Sequence, residues 1–240
     1  MVRQRFNLGL AIFLVISVIK IMSLFKIRSV IRSTTSLLTT LIVVVVMSGC
    51  VGGVNSAINR TENYAYAWPN IKFQSNHKIL VSAIDERAYV LSGKKDLNFV
   101  GLMRGGFGNP FDMYTESGAP LSDDLVQAIT SGLKNGGLSA TENKLKHDLS
   151  RQELIESLKL DTSAKKVLLK FKEWKSDTYS ASRFLFELTL EIYDFDGALI
   201  VSITEKNINK DNTSSVSPMD SAREALSLIF NNELVSNALK

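Results

Sequence analysis

Hydrophobic and polar positions divide the chain into two regimes. Up to Met47 the apolar residues come in long runs with few polar breaks, Phe6 to Ile19 and Leu37 to Met47. From His77 onward they recur with the spacing of folded elements. Lys78 to Ile84 (KILVSAI) reads as a buried strand. Leu121, Leu125, Ile129 and Leu133 recur every four residues, which predicts a helix over Leu121 to Lys134. Pro120 suits its start, Asp123 and Asp124 suit its positive end, and Gly136-Gly137 ends it. Leu138 to Thr141 reads as a short strand. Ser150 to Glu153 has capping-box spacing and opens a short helix through Leu158.

The period then changes from 3.6 to 2. Lys166 to Trp174 places Val167, Leu169 and Phe171 on one face. Arg183 to Tyr193 is the clearest strand: Phe184, Phe186, Leu188, Leu190 and Ile192 point one way, and Glu187, Thr189 and Glu191 the other. Such alternation marks a sheet with one face in a core and one in water. Asp194 to Gly197 is a turn, and Ala198 to Glu205 returns as a hairpin partner. Ser217-Pro218 opens a last helix, with Ala222, Ala225, Leu226, Ile229 and Phe230 on its apolar stripe. These elements predict an α/β (α+β) fold: an antiparallel or mixed sheet with helices packed on one face.

Charge changes the reading of the N-terminus. Residues 1–49 hold six basic residues (Arg3, Arg5, Lys20, Lys26, Arg28, Arg32) and no acidic one, although the net charge of the whole chain is only +4. The remainder is therefore mildly acidic. The overall basic balance is no argument for nucleic acid, which needs a basic face on the folded part, and no nucleic-acid partner is expected. A charged flank, an apolar core and small residues before a processing point form the export-signal pattern. An inner version starts at Met22, a candidate true start. Lys26, Arg28 and Arg32 form the flank, and Leu37 to Met47 form the core.

Cys50 is the only cysteine, so no internal disulfide exists. Met47-Ser48-Gly49-Cys50 resembles the lipobox of bacterial lipoproteins, although Met47 stands where Leu, Val or Ile is usual. The resemblance implies cleavage between Gly49 and Cys50. It also implies a covalent diacylglycerol and an N-acyl chain on that cysteine, with no other cofactor. Two or three acyl chains anchor a protein stably, at roughly 0.8 kcal/mol per buried methylene. Val51 follows where an inner-membrane retention signal would place Asp, which implies the outer membrane, facing the periplasm. The alternative is an uncleaved membrane anchor. Leu37 to Met47 alone has about half of the roughly 20 apolar residues a span needs.

The expected organisation is a signal peptide over 1–49, a tether over 50–76 and a periplasmic α/β domain over 77–240. Within the tether Tyr64, Tyr66 and Trp68 alternate. They leave three readings: an edge strand, aromatics packed on their own domain, or a partner site. The lipobox-like leader, VSAIDERA, DDLVQAITSGLKNGG, YDFDG at a turn and SAREALSLIFNNEL follow the order of YajG-type bacterial lipoproteins. This resemblance spans roughly residues 77–236 and implies an envelope protein with no assigned reaction.

The chain departs from that family in the long segment Asp85 to Pro120, which holds six of the fourteen glycines. Read as an ordered loop, it is a candidate binding surface for an envelope protein or glycan partner. Arg87, Tyr89, Arg104, Phe107 and Phe111 are the candidate contacts. The competing reading is structural, with Phe107 and Phe111 plugging the loop onto the sheet. Gly101 to Asn109 lacks the Gly-Lys-Ser/Thr of a phosphate-binding loop. His77 and His147 lie far apart and form no metal spacing. Asp194 and Asp196 fit a turn better than a calcium site. No catalytic constellation emerges. The function expected is therefore a non-enzymatic accessory or scaffold lipoprotein, and the alternative is a tethered enzyme or ligand-binding protein using Asp85, Glu86 or Arg104.

Overall fold

The computed structural model describes residues 61–147, 149–159, 161–207 and 216–240. The expected signal peptide over 1–49 and the expected cleavage and lipidation site at Gly49 and Cys50 lie outside the described residues. The elements in order are β1 (Thr61–Glu62), a 3-10 turn (Tyr64–Tyr66), β2 (Lys78–Asp85), α1 (Ala88–Leu91), β3 (Phe99–Arg104), β4 (Pro110–Thr115), α2 (Leu121–Asn135), β5 (Ser139–Glu142), α3 (Arg151–Lys159), β6 (Ala164–Thr178), β7 (Ser182–Tyr193), β8 (Leu199–Lys206), α4 (Pro218–Phe230) and α5 (Glu233–Leu239). The sheet is mixed, with helices packed against it. β6, β7 and β8 form the expected antiparallel meander, while β2 lies parallel to both β5 and β6.

β6 organises the sheet because it is long. One edge pairs with β7 from Lys166 to Thr178. The other edge is shared: β2 covers Ala164 to Phe171, and β3 covers Ser176 to Thr178. Opposite the uncovered stretch, β6 carries a bulge between Phe171 and Glu173. An extra residue there reverses the alternation. Val167, Leu169 and Phe171 face the core as expected, and Trp174 rather than residue 173 continues them, fully buried.

The apolar stripes meet in one core. Leu121, Leu125, Ile129 and Leu133 of α2, the inward residues of β7, and Ala222, Leu226, Ile229 and Phe230 of α4 are all buried within it. Burying each large side chain contributes about 1.5–3 kcal/mol, which exceeds what helix capping supplies. Ser217 caps α4 by accepting from the Asp220 amide. α5 follows at once, because the Asn232 side chain accepts from the Leu234 amide and restarts the helix. Sequence periodicity ended at Phe230 and missed it.

Residues 61–76, expected within the tether, lie on the domain. Thr61 and Glu62 pair parallel with Tyr114 and Thr115, and Tyr64 is fully buried. Its ring meets Trp174 edge-on at 5.3 Å. Tyr66 stays about half exposed and Trp68 somewhat less. Pro69 lies over α2 at Gly132, where an added Cβ would come within 2.6 Å of its Cδ.

Candidate binding surface

Residues 85–120, expected as one loop, are a turn of helix followed by a β-hairpin. Periodicity missed β3 because Gly101 interrupts it where the backbones come closest. A Cβ at Gly101 would lie 2.2 Å from Ser176 Oγ and 2.5 Å from Ser176 O. Only glycine lets β3 approach β6 here.

Arg87 is not on the surface. Its side chain is fully buried and occupies the gap along β6 between the end of β2 and the start of β3. The guanidinium grips Asp85 with both prongs, Nε to Oδ1 at 2.8 Å and Nη2 to Oδ2 at 2.6 Å. It also donates to the carbonyls of Phe99 (2.5 Å), Leu97 (3.3 Å) and Trp174 (3.4 Å). Phe171 stacks below it, 5.3 Å from ring centre to guanidinium. A planar five-donor group suits this position, because the gap presents carbonyls that no strand satisfies. Arg87 is therefore a seal inside the sheet and cannot anchor a partner.

Tyr89 shares that work. Its hydroxyl donates to Glu173 Oε1 at 2.7 Å and lies 3.2 Å from the Trp174 carbonyl. Burial pushes its phenol above the ordinary value; the Arg87 charge opposes this, and the bond to Glu173 adds to it. Asp85 serves Arg87, and the Glu86 amide donates to the Phe171 carbonyl.

Arg104, Phe107 and Phe111 belong to the hairpin. Arg104 makes a two-pronged contact with Asp177, at 2.7 and 2.6 Å. That hydrogen bonding raises the Arg104 pKa and holds the Asp177 carboxyl below its usual range. Phe107, at the tip, is 96% exposed and plugs nothing. Phe111 is half-buried, with its ring across Gly105. The hairpin tip also touches a turn that sequence reasoning passed over. Between β6 and β7, Tyr179 is 56% exposed and its hydroxyl donates to the Gly106 carbonyl at 3.2 Å. The signal available was a single aromatic in the polar run Ser176 to Ser182.

Other candidate groups fall into structural roles. Asp194 Oδ1 accepts from the Phe195 amide, and Asp196 Oδ1 accepts from the Ala198 amide, so both carboxylates shape the β7–β8 turn. Buried Lys166 donates to the Asp194 and Phe195 carbonyls of the same turn, and its burial lowers its pKa. His77 stands edge-on to Phe195 at 5.3 Å. His147 lines a cavity of about 40 Å³ that also touches Ser122 and Asp85, room for a few waters. An open groove of about 470 Å³ runs past Val90, Lys95 and Asn98 to Pro120. Among the described residues no cluster of three metal-ligating side chains occurs, and no helix is long and apolar enough to cross a membrane.

No protein-family model and no curated protein matches the chain. Solved structures do. A Xanthomonas campestris protein of the DUF330 family aligns with a TM-score of 0.39 at 16% identity, covering 72% of this chain and 87% of that one. PelC of Paraburkholderia phytofirmans, solved as a dodecamer, aligns with a TM-score of 0.37 at 10% identity, covering 72% and 94%. A lipoprotein of Neisseria meningitidis aligns with a TM-score of 0.23 at 13% identity, covering 65% and 96%. Each is a partial likeness of fold.

Proposed function

We propose that this protein is a lipid-anchored envelope lipoprotein, held at the bacterial outer membrane through Cys50, with its α/β domain in the periplasm. The likeness to YajG-type lipoproteins belongs to the same proposal. The observation that carries it is the position of the lone thiol. Cys50 directly follows an apolar run and two small residues, and a short segment separates it from Thr61, where the domain begins. That segment is long enough to be a tether and too short to be another domain.

In this reading the domain is an accessory or scaffold for an envelope assembly and catalyses no reaction. Two of the three charges that an enzyme reading would use support this assignment. Asp85 is spent on Arg87, and Arg104 on Asp177. The surface left for an envelope protein or glycan is the hairpin tip and the open groove. Metabolic labelling with palmitate tests the anchor. Label is expected on the wild-type chain and absent from Cys50→Ser, which should leave the membrane fraction under alkaline wash. Equal labelling of both chains overturns the assignment. Cross-linking in cells tests the scaffold role, and a chain that captures nothing above background speaks against it.

A further inference from the structure

We infer that the free edge of β8 is a self-association surface: two copies of the chain pair β8 against β8, antiparallel about a two-fold axis at Ser202, and continue one sheet across that axis. This goes beyond the anchor and the scaffold reading and rests on neither.

The edge is open and long. β8 pairs only with β7. The Asn207 amide donates to the Phe186 carbonyl at 2.8 Å, and the hydroxyls of Thr204 and Thr189 meet at 2.9 Å. Hydrogen-bonded and non-hydrogen-bonded pairs alternate along an antiparallel ladder. Ser202, Thr204 and Lys206 therefore turn their amides and carbonyls away from β7. Among the described residues no strand or turn receives them. The other edge strands are short, two residues in β1 and four in β5. β8 has eight, with no proline, no bulge from Val201 to Lys206 and charge only at Glu205 and Lys206. Folded proteins normally blunt an edge of this kind.

The side chains say what fits. On the core side Val201 and Ile203 lie beside Ile192 and Leu190, which are fully buried, yet are only partly buried themselves. The apolar layer stops half-covered at the edge. Leu199 and Ile200 are 54% and 44% exposed. On the outer face Ser202, Thr204 and Lys206 are exposed. The fitting occupant is an extended strand, apolar on one face and small and polar on the other, and β8 itself meets that description. Pairing about Ser202 sets Val201 of each copy against Ile203 of the other, so the apolar layer runs on from Leu190 of one copy to Ile192 of the next.

Charge sets the direction. A parallel, in-register pair would stack Glu205 on Glu205 and Lys206 on Lys206. The antiparallel pair separates them. It places Lys206 opposite Ala198 of the other copy, two residues from the exposed Asp196, a diagonal that a long side chain reaches. A two-fold pair uses both edges at once and closes, leaving no edge for a third copy. A single strand pair lies at the small end of interfaces, below about 1,200 Å², so the association is reversible and grows with concentration.

The test is thiol cross-linking in the envelope of cells that make the full chain. Wild type, whose one cysteine is Cys50, sets the background. Ser202→Cys puts a thiol on the axis, where the Cα atoms of a hydrogen-bonded antiparallel pair lie about 5.5 Å apart, within disulfide range. Ser139→Cys, exposed on the β5 edge, is the control for chance collision. The expected result is a disulfide product of twice the chain's mass from Ser202→Cys alone. Adding Thr204→Pro should abolish it, because proline removes an outward amide and leaves the bonds to β7 in place; a melting curve of that variant checks that it folds. The purified wild-type chain gives a second reading without substitutions. Its Ser202, Thr204 and Lys206 amides should gain protection from hydrogen exchange as concentration rises. Cross-linking of Ser202→Cys no greater than that of Ser139→Cys, or edge amides that exchange freely at every concentration, overturns the pairing. A Ser202→Cys product of any other mass means that a different protein holds the edge, and overturns it too. Palmitate labelling of Cys50 is indifferent to all of these results, so the anchor stands or falls separately.

Discussion

Truncation of Arg87 should be the most damaging single change to a charged side chain in this domain. Arg87→Ala leaves the Asp85 carboxylate unpaired at 5% side-chain exposure. It also strips donors from the carbonyls of Phe99, Leu97 and Trp174. Breaking a buried ion pair costs about 3–5 kcal/mol. Water entering the vacated space would serve some of the carbonyls, so the loss should stay within that range. A typical domain has about 5–15 kcal/mol in all, so the variant should unfold at a much lower urea concentration. Arg104→Ala is the internal control. Its pair with Asp177 is about one-third exposed, and pairs of that kind contribute about 0.2–1 kcal/mol. A double-mutant cycle with Asp85→Asn and Arg87→Met isolates the coupling. Removing both charges should cost clearly less than the sum of the two single changes. Urea unfolding followed by circular dichroism gives all four values. If Arg87→Ala lies within about 1 kcal/mol of Arg104→Ala, or the cycle shows no coupling, the seal between β2 and β3 is not what holds the sheet.

Other expectations are narrower. Gly101→Ala forces a Cβ into Ser176; since backbone cannot yield, it should cost at least the roughly 1–3 kcal/mol of ordinary overpacking, read from thermal melts. Gly132→Ala collides with Pro69 and should loosen residues 61–77 selectively, seen as faster amide exchange there with β6 and β7 still protected. Asp177 has a lowered folded-state pKa, so the stability it contributes is present above the ordinary carboxylate value and is lost as pH falls through the folded one. The stability gap between wild type and Asp177→Asn should therefore narrow below about pH 4 and also shrink in high salt. Phe107→Ser should leave the melting temperature unchanged, since the side chain touches almost nothing.

The meander was legible because β7 has one wet face and one dry face, so its residues declare their direction. α2 was legible for the same reason at helical period. β3 was not. It is six residues long, carries a glycine at the crossing and pairs with β6 through contacts more than seventy residues apart in sequence. Arg87 was misread because an arginine in a glycine-rich stretch resembles a surface anchor. Its burial depends on a gap in strand pairing, which no local pattern reveals. Tyr64 is similar: the alternation Tyr64, Tyr66, Trp68 marks aromatics that need a home, but only the position of β4 and Trp174 decides which ring goes inside. The hairpin tip was half-visible. Phe107 and Arg104 were singled out, while Tyr179 joins them only because β6 brings its turn alongside.

The most direct measurement of the central claim is the mass of the N-terminal peptide of the chain isolated from bacterial membranes. The account expects a peptide that begins at Cys50 and carries the added mass of a thioether-linked diacylglycerol and an amide-linked acyl chain. A chain that retains the residues before Cys50, with an unmodified thiol, contradicts it.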